Sequence, residues 1–188
     1  MSTLEIFATL FTLLSVLLAV KLKTHQYPVG IVGTILYFFV FWEFKLYFSA
    51  YLQIFFTFVQ FYGWWYWMYG DKGAEPKVTL VDWGWFIPIL ILAPLGFGIA
   101  TGMIAERVSD AKMPILDALI FGASVLAQWY LDRKKLQTWI VWFFVNVVSI
   151  GLYYSQGLML TTGVYVILLF NTFWGYYEWN KELKSYKV

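Results

Sequence analysis

The stretch Phe58–Trp67, FVQFYGWWYW, returns as Phe170–Trp179, FNTFWGYYEW, so that Phe58, Phe61, Gly63 and Trp67 fall on Phe170, Phe173, Gly175 and Trp179 at an offset of 112 residues. Working outward at the same offset, with no gap, Leu46 falls on Leu158, Lys23 on Lys135, Lys21 on Arg133, and Leu4-Glu5 on Leu116-Asp117. Rare residue types at identical spacing mark an internal repeat, which apolar composition alone does not produce.

The repeat lies in a chain made for lipid. Of its 188 residues, 61% are hydrophobic, 23% aromatic and only 13% charged, about half the charged fraction of a soluble domain. Apolar runs at Leu4–Val20, Val29–Phe41, Tyr47–Met68, Trp83–Met103, Met113–Leu131, Leu136–Tyr154 and Leu158–Trp179 give seven candidate spans, each near the ~20 residues that cross hydrocarbon. The second is short. An offset that covers four spans, an even number, leaves both three-span units in the same orientation, with the fourth span as the linker. The predicted fold is therefore an all-α polytopic membrane protein with seven transmembrane helices in a 3+1+3 parallel-repeat arrangement, a plan used by transporters. Residues 1–68 form the first three-helix unit, 69–112 the loop and linker helix, 113–179 the second unit, and 180–188 a cytoplasmic tail. In the linker, Pro88, Pro94, Gly96 and Gly98 are expected to break helical regularity.

Basic residues set the orientation. The segments after spans one, three, five and seven hold Lys21, Lys23, Lys72, Lys77, Arg133, Lys134, Lys135, Lys181, Lys184 and Lys187, whereas the opposite side holds Lys45, Arg107 and Lys112. This asymmetry places the C-terminus in the cytoplasm and the N-terminus outside. The first run has lysines after it and none before it, the reverse of a secretory signal, and is expected to stay as a helix.

Composition also narrows the function. With no cysteine and His25 as the single histidine, the usual metal sites, thiol nucleophiles and catalytic triads lack their parts, so neither a metal nor another cofactor is expected. An intramembrane enzyme needs paired carboxylates at depth, but Glu5, Asp117 and Glu178 all sit toward span ends. A net charge of +2 without a basic stripe gives no nucleic-acid footprint. The polar groups that remain at membrane depth are informative because they are costly there. Gln53, Thr57, Gln60 and Trp64 recur on one face of the third span; Trp142, Asn146 and Ser149 on the sixth; Asn171, Trp174 and Glu178 on the seventh. The plainer alternative is that these amides only clamp helices together. Three helices that each offer amides beside a tryptophan make a better slot for a flat ring, stacked on indoles and read by amides. Trp65, Trp67, Trp83, Trp85, Trp129, Trp139 and Trp179 lie near span ends and read as headgroup anchors. In the short second span, Pro28 and Gly33 are candidate hinge positions, Pro28 having the plainer alternative of starting the helix.

Taken with Tyr27-Pro28-Val29-Gly30, Leu46-Tyr47, Leu52-Gln53, Tyr62-Gly63-Trp64 and Trp67, and with Trp139, Trp142, Asn146, Ser149, the Tyr153 to Leu158 turn, Gly175 and Trp179, the chain resembles the PnuC-type vitamin transporters over nearly its whole length. The resemblance implies a SWEET-like core, a homotrimer in the inner membrane, and passive uptake of a vitamin that a cytoplasmic kinase then traps by phosphorylation. It implies nicotinamide riboside as substrate, with thiamine or riboflavin as alternatives, and assigns Gln53, Gln60, Trp142, Asn146 and the Tyr62–Trp67 segment to the substrate and gate region. Gly33 and Trp174 stand where the enteric riboside transporters of the family carry asparagine, which implies a more aromatic pocket. The sequence-based expectation is a slot near the midplane between the three-helix units, formed by Gln53, Thr57, Gln60, Trp64, Trp142, Asn146, Asn171 and Trp174, with Pro28, Gly33, Tyr62 and Trp67 as gate or hinge. A substrate-capturing subunit that needs an energising partner is the competing class.

Overall fold

The computed structural model describes residues 3–43, 47–70, 76–108, 113–155 and 159–185. Lys45, Leu46, Lys72, Lys112, Leu158 and Lys187, used above in the charge count or the repeat, lie outside the described residues. The described chain is helical: α1 (Thr3–Val20), α2 (Gln26–Glu43), α3 (Tyr47–Tyr69), α4 (Trp83–Val108), α5 (Pro114–Asp132), α6 (Thr138–Ser155) and α7 (Met159–Ser185). Four of these, α1, α4, α5 and α6, are long and apolar enough to cross a membrane, and α2 carries a shorter apolar stretch, Gln26–Val40. In α3 and α7 the tyrosines, tryptophans and amides dilute the apolar character, and α7 runs past Trp179 into the charged segment expected to be a tail.

The offset seen in the sequence recurs in the backbone. Shifting α2 by 112 residues reproduces the bounds of α6, and the same shift sets the start of α3 on that of α7. The turns repeat too. After α1, Leu22 takes a left-handed φ of 54°, its N–H bonds to the Ala19 carbonyl, and the Lys23 N–H reaches the Leu18 carbonyl at 2.9 Å. After α5, Lys134 has a φ of 48°, and the Lys135 N–H reaches the Tyr130 carbonyl at 2.8 Å. This is the helix-ending turn usually built on glycine, here made twice by side chains that pay a steric penalty of ~1–2 kcal/mol for the left-handed backbone. One side-chain bond recurs with its direction reversed: Ser15 Oγ donates to the Gln26 carbonyl at 2.8 Å, and Thr138 Oγ1 donates to the Ala127 carbonyl at 2.7 Å.

Two compact units share the chain. The first holds Met1–Val78, Asp132–Lys134 and Trp174–Val188, and in it α2 packs on α1 and α3. Gly30 and Gly33 permit that approach. A Cβ on Gly30 would collide with the Gln60 amide and the Ser15 hydroxyl, and one on Gly33 would sit 3.0 Å from Thr12 Oγ1. The second unit holds Thr79–Leu131 and Lys135–Phe173, around a core of Phe86, Ile120, Ala127, Tyr130, Val141, Val145 and Leu152.

In the second unit α4 is one continuous helix through Pro88 and Pro94, contrary to the expected break. Gly98 and Gly102 serve close packing instead. A Cβ on Gly98 would lie 2.8 Å from the Leu119 Cα, and one on Gly102 would lie 2.6 Å from the Ile115 Cα. Small residues four apart thus bring α4 onto α5, the usual device where helices cannot rely on hydrophobic expulsion from water. The loop before α4 is clasped to the α5–α6 turn. Gln137 donates from Nε2 to the Val81 carbonyl at 2.7 Å and accepts the Val81 N–H on Oε1 at 2.9 Å, while the Leu136 N–H bonds to the Thr79 carbonyl.

Candidate functional site

The predicted polar-aromatic positions divide between the two units. In the second unit, Trp142 is half-buried and packs against the core. One turn on, Asn146 is only 2% exposed, and Ser149 is fully buried on the same face of α6. The Asn146 Oδ1 and Ser149 Oγ have no hydrogen-bond partner. On α7, Asn171 is also buried, and its Nδ2 has no partner.

Ring contacts set the register of the two helices. Phe143 meets Phe173 with centroids 5.6 Å apart, and Tyr153 meets Tyr165 at 5.1 Å. Between those contacts residue numbers rise on α6 as they fall on α7, so Asn146 and Asn171 stand at the same height. A buried amide without a partner costs about 1–3 kcal/mol. One acceptor and one donor left open at one level, with a serine hydroxyl a turn away, form a surface that a polar ring substituent or a sugar hydroxyl would complete.

In the first unit the α3 face is more self-contained. Thr57 Oγ1 lies 2.9 Å from Thr34 Oγ1 and donates to the Gln53 carbonyl at 2.8 Å, so this hydroxyl already ties α3 to α2. Gln60 is buried against Gly30, while Gln53 and Trp64 are half-buried. Pro28 sits in the first turn of α2, where the missing N–H has no intrahelical acceptor to lose.

The ends of α1, α3, α5 and α7 meet in the first unit, and there the structure departs from the sequence reading. Trp67 and Trp179, read as headgroup anchors, are both 0% exposed and face one another with ring centroids 6.0 Å apart. The Trp179 Nε1 donates to the Ala19 carbonyl at 3.0 Å. In the second unit Trp139, read the same way, is also buried. Trp65, Trp83, Trp85 and Trp129 are well exposed, as an anchor requires. An interior hydrogen-bond acceptor or packed ring takes an indole out of the headgroup role.

Charged groups surround the tryptophan pair. Lys134 Nζ lies 4.2 Å from the Trp67 ring centroid. The Lys21 Nζ is 4.7 Å from the Trp174 ring and 3.2 Å from Glu178 Oε1, which also accepts the Trp174 N–H. The Arg133 guanidinium is 4.7 Å from the Tyr66 ring and 5.6 Å from that of Tyr62. Trp174, expected in the slot, and Tyr62 and Trp67, expected in the gate, therefore belong to this one cluster. Asp132 was missed altogether. It is fully buried, takes a hydrogen bond from the Tyr27 hydroxyl at 2.9 Å, and occupies the space that Gly63 leaves empty. The available signal was the repeat itself, which sets this acid against Val20. Among the described residues no group of histidine, cysteine, aspartate and glutamate side chains could hold a metal ion.

A family model described as nicotinamide mononucleotide transporter matches residues 2–181. The nicotinamide riboside transporter PnuC of Escherichia coli strain K12 is 25% identical over 90% of this chain and 82% of its own. That of Haemophilus influenzae is 26% identical over 92% and 76%. The riboflavin/roseoflavin transporter RibM of Streptomyces davaonensis is 28% identical over 64% of this chain and 58% of its own. Among solved structures, a crystal structure of the vitamin B3 transporter PnuC matches the fold with a TM-score of 0.80 at 23% identity, covering 97% of this chain and 82% of that one.

Proposed function

The chain belongs to the nicotinamide mononucleotide transporter family, as a multi-pass membrane protein of PnuC type that takes up a vitamin, and we propose that its substrate is nicotinamide riboside. The observation that carries this reading is the pair of buried amides, Asn146 and Asn171, left open at one height beside Ser149 and Trp142. Nicotinamide riboside is a flat cation with an amide and sugar hydroxyls. Stacking on an indole contributes ~0.5–2 kcal/mol, and the open amide atoms supply hydrogen bonds that a purely apolar ring could not use. In this proposal Asn146 and Asn171 read the polar groups and Trp142 offers a ring face in the second unit, while in the first Gln53, Gln60 and Trp64 make up the polar-aromatic face of α3, which Thr57 holds through Thr34.

The proposal extends to transport. Seven helices cross the membrane as two parallel repeats joined by α4, with the N-terminus outside, and access to the substrate alternates without a coupled ion. Assembly as a homotrimer and trapping by a cytoplasmic vitamin kinase follow from the family resemblance. Riboflavin is the second reading, favoured by the similarity to RibM.

Calorimetric titration of the purified protein with nicotinamide riboside, thiamine and riboflavin, followed by uptake into liposomes holding this protein alone, tests the reading. Submicromolar binding of the riboside, uptake without an energy source, and loss of both on Asn146→Ala are expected. Binding of riboflavin instead reassigns the substrate. Unchanged riboside binding by Asn146→Ala and Gln60→Ala together refutes the site.

A further inference from the structure

We infer that Lys21 and Arg133 are gating residues, two crossed latches that hold together the end of the molecule where α1, α3, α5 and α7 terminate. The inference rests on the alternating-access reading above and adds the groups that must release for that end to open.

The geometry is reciprocal. Lys21 and Arg133 occupy the same position in the two repeats, each immediately before a left-handed residue, Leu22 or Lys134. Each reaches the third helix of the other repeat. Lys21 lies over Trp174 and pairs with Glu178 on α7, while Arg133 lies over Tyr62 and Tyr66 on α3. Their targets are themselves equivalent, since the repeat sets Tyr62 on Trp174 and Tyr66 on Glu178. Beneath the latches the repeat-equivalent Trp67 and Trp179 are in contact, so separating the repeats at this end requires both cations to leave their rings.

Salt weakens the Lys21 latch. The Lys21–Glu178 pair has side chains 47% and 26% exposed, so it is weak and screened by added salt. The Arg133 latch rests on the faces of Tyr62 and Tyr66. Two modest contacts suit a gate, because a single strong one would trap one state.

The absence of cysteine from this chain permits a direct test. Ala19→Cys places one thiol at a buried position beneath the latches, beside the carbonyl that Trp179 holds. Its labelling rate by a membrane-impermeant maleimide, added from either side of proteoliposomes, reports opening. Lys21→Gln and Arg133→Gln are each expected to raise that rate about fivefold from one side only, and the pair more than either. Lys21→Glu with Glu178→Lys returns it toward the parent. Molar salt speeds labelling in the parent and in Arg133→Gln, where the exposed Lys21–Glu178 pair remains to be screened. Labelling of the double variant at the parent rate, or failure of the charge swap to restore it, overturns the latches. Should the double variant not fold, Glu178→Gln with Trp174→Leu and Tyr62→Leu with Tyr66→Leu remove the same contacts from the other side and are expected to raise the rate likewise; labelling at the parent rate overturns the latches. Calorimetry with nicotinamide riboside on each variant separates the two proposals. A parent that binds no riboside refutes the substrate while labelling still reads the latches, and riboside binding with flat labelling refutes the latches alone.

Discussion

Replacing Asn146 by leucine tests whether its amide is reserved for a ligand. The side chain is 2% exposed, its Oδ1 has no partner, and it neighbours the core residue Val145. Leucine has nearly the same size, so the change removes an unsatisfied acceptor without leaving a large cavity. Membrane helices recover less from a hydrogen bond than soluble ones do, which puts the gain near ~1 kcal/mol, the low end of the cost of an orphaned polar group. A protein of this size then melts about 2–4 °C higher when empty. Substrate has the opposite effect on the comparison. At 100 times its dissociation constant nicotinamide riboside stabilises the parent by about 2.7 kcal/mol and the variant by nothing. Thermal unfolding in detergent, followed by tryptophan fluorescence with and without the riboside, gives both quantities. An empty Asn146→Leu protein that melts below the parent, or one that keeps the ligand shift, shows that the amide is a helix clamp and refutes the reasoning.

Three further changes probe the scaffold. Gly63→Ala drives a methyl into the Asp132 carboxylate and to 2.7 Å from the Tyr27 ring, and is expected to destabilise by about 1–3 kcal/mol, whereas Gly96→Ala, with nothing within 4 Å, stays neutral or gains slightly in the same melting assay. Gln137→Leu removes both bonds to the Val81 backbone and is expected to cost about 2 kcal/mol, with hydrogen exchange at the Val81 amide rising well ahead of that in α6; equal protection in both proteins would show that the clasp is dispensable.

Much of the fold was legible because helices in lipid announce themselves by length and apolar content. Six of the seven starts predicted from the runs lie within two residues of the observed ones, and the exception, α2, begins at Gln26 because the Gln26 and Tyr27 N–H groups bond back to the Lys23 and Thr24 carbonyls and start it early. What periodicity could not show was which tryptophans face inward. Trp67 and Trp85 both lie near span ends, yet one is fully buried and the other 69% exposed. The difference is set by Trp179 and Lys134, which reach Trp67 from distant parts of the chain. Pro88 and Pro94 misled for a related reason. In a helix with few competing hydrogen-bond partners around it, losing a backbone bond does not end the helix, and the glycines nearby mark contact with α5. The candidate site was legible as residue types and spacing. Its division into open amides on α6 and α7 and an engaged hydroxyl at Thr57 was not, since satisfaction of a polar group depends on what the neighbouring helix presents.

That division follows the repeat. The offset sets Gly30 and Thr34 of the first half on Trp142 and Asn146 of the second. In the first half glycine admits the Gln60 side chain against α2, and the threonine is satisfied by Thr57, whose counterpart is Leu169. In the second half an indole takes the place of the glycine, and the asparagine has no threonine to meet. One copy has thus closed its polar face on itself while the other keeps it open. The same frame holds the αL turns at Leu22 and Lys134 and the reversed Ser15 and Thr138 bonds, so the backbone of the duplication is kept while its side chains take unlike tasks. Two identical halves would offer two equivalent binding faces to one asymmetric ring. Assigning the open amides to one half gives the polar groups of the ring a single face to meet, and so fixes its orientation.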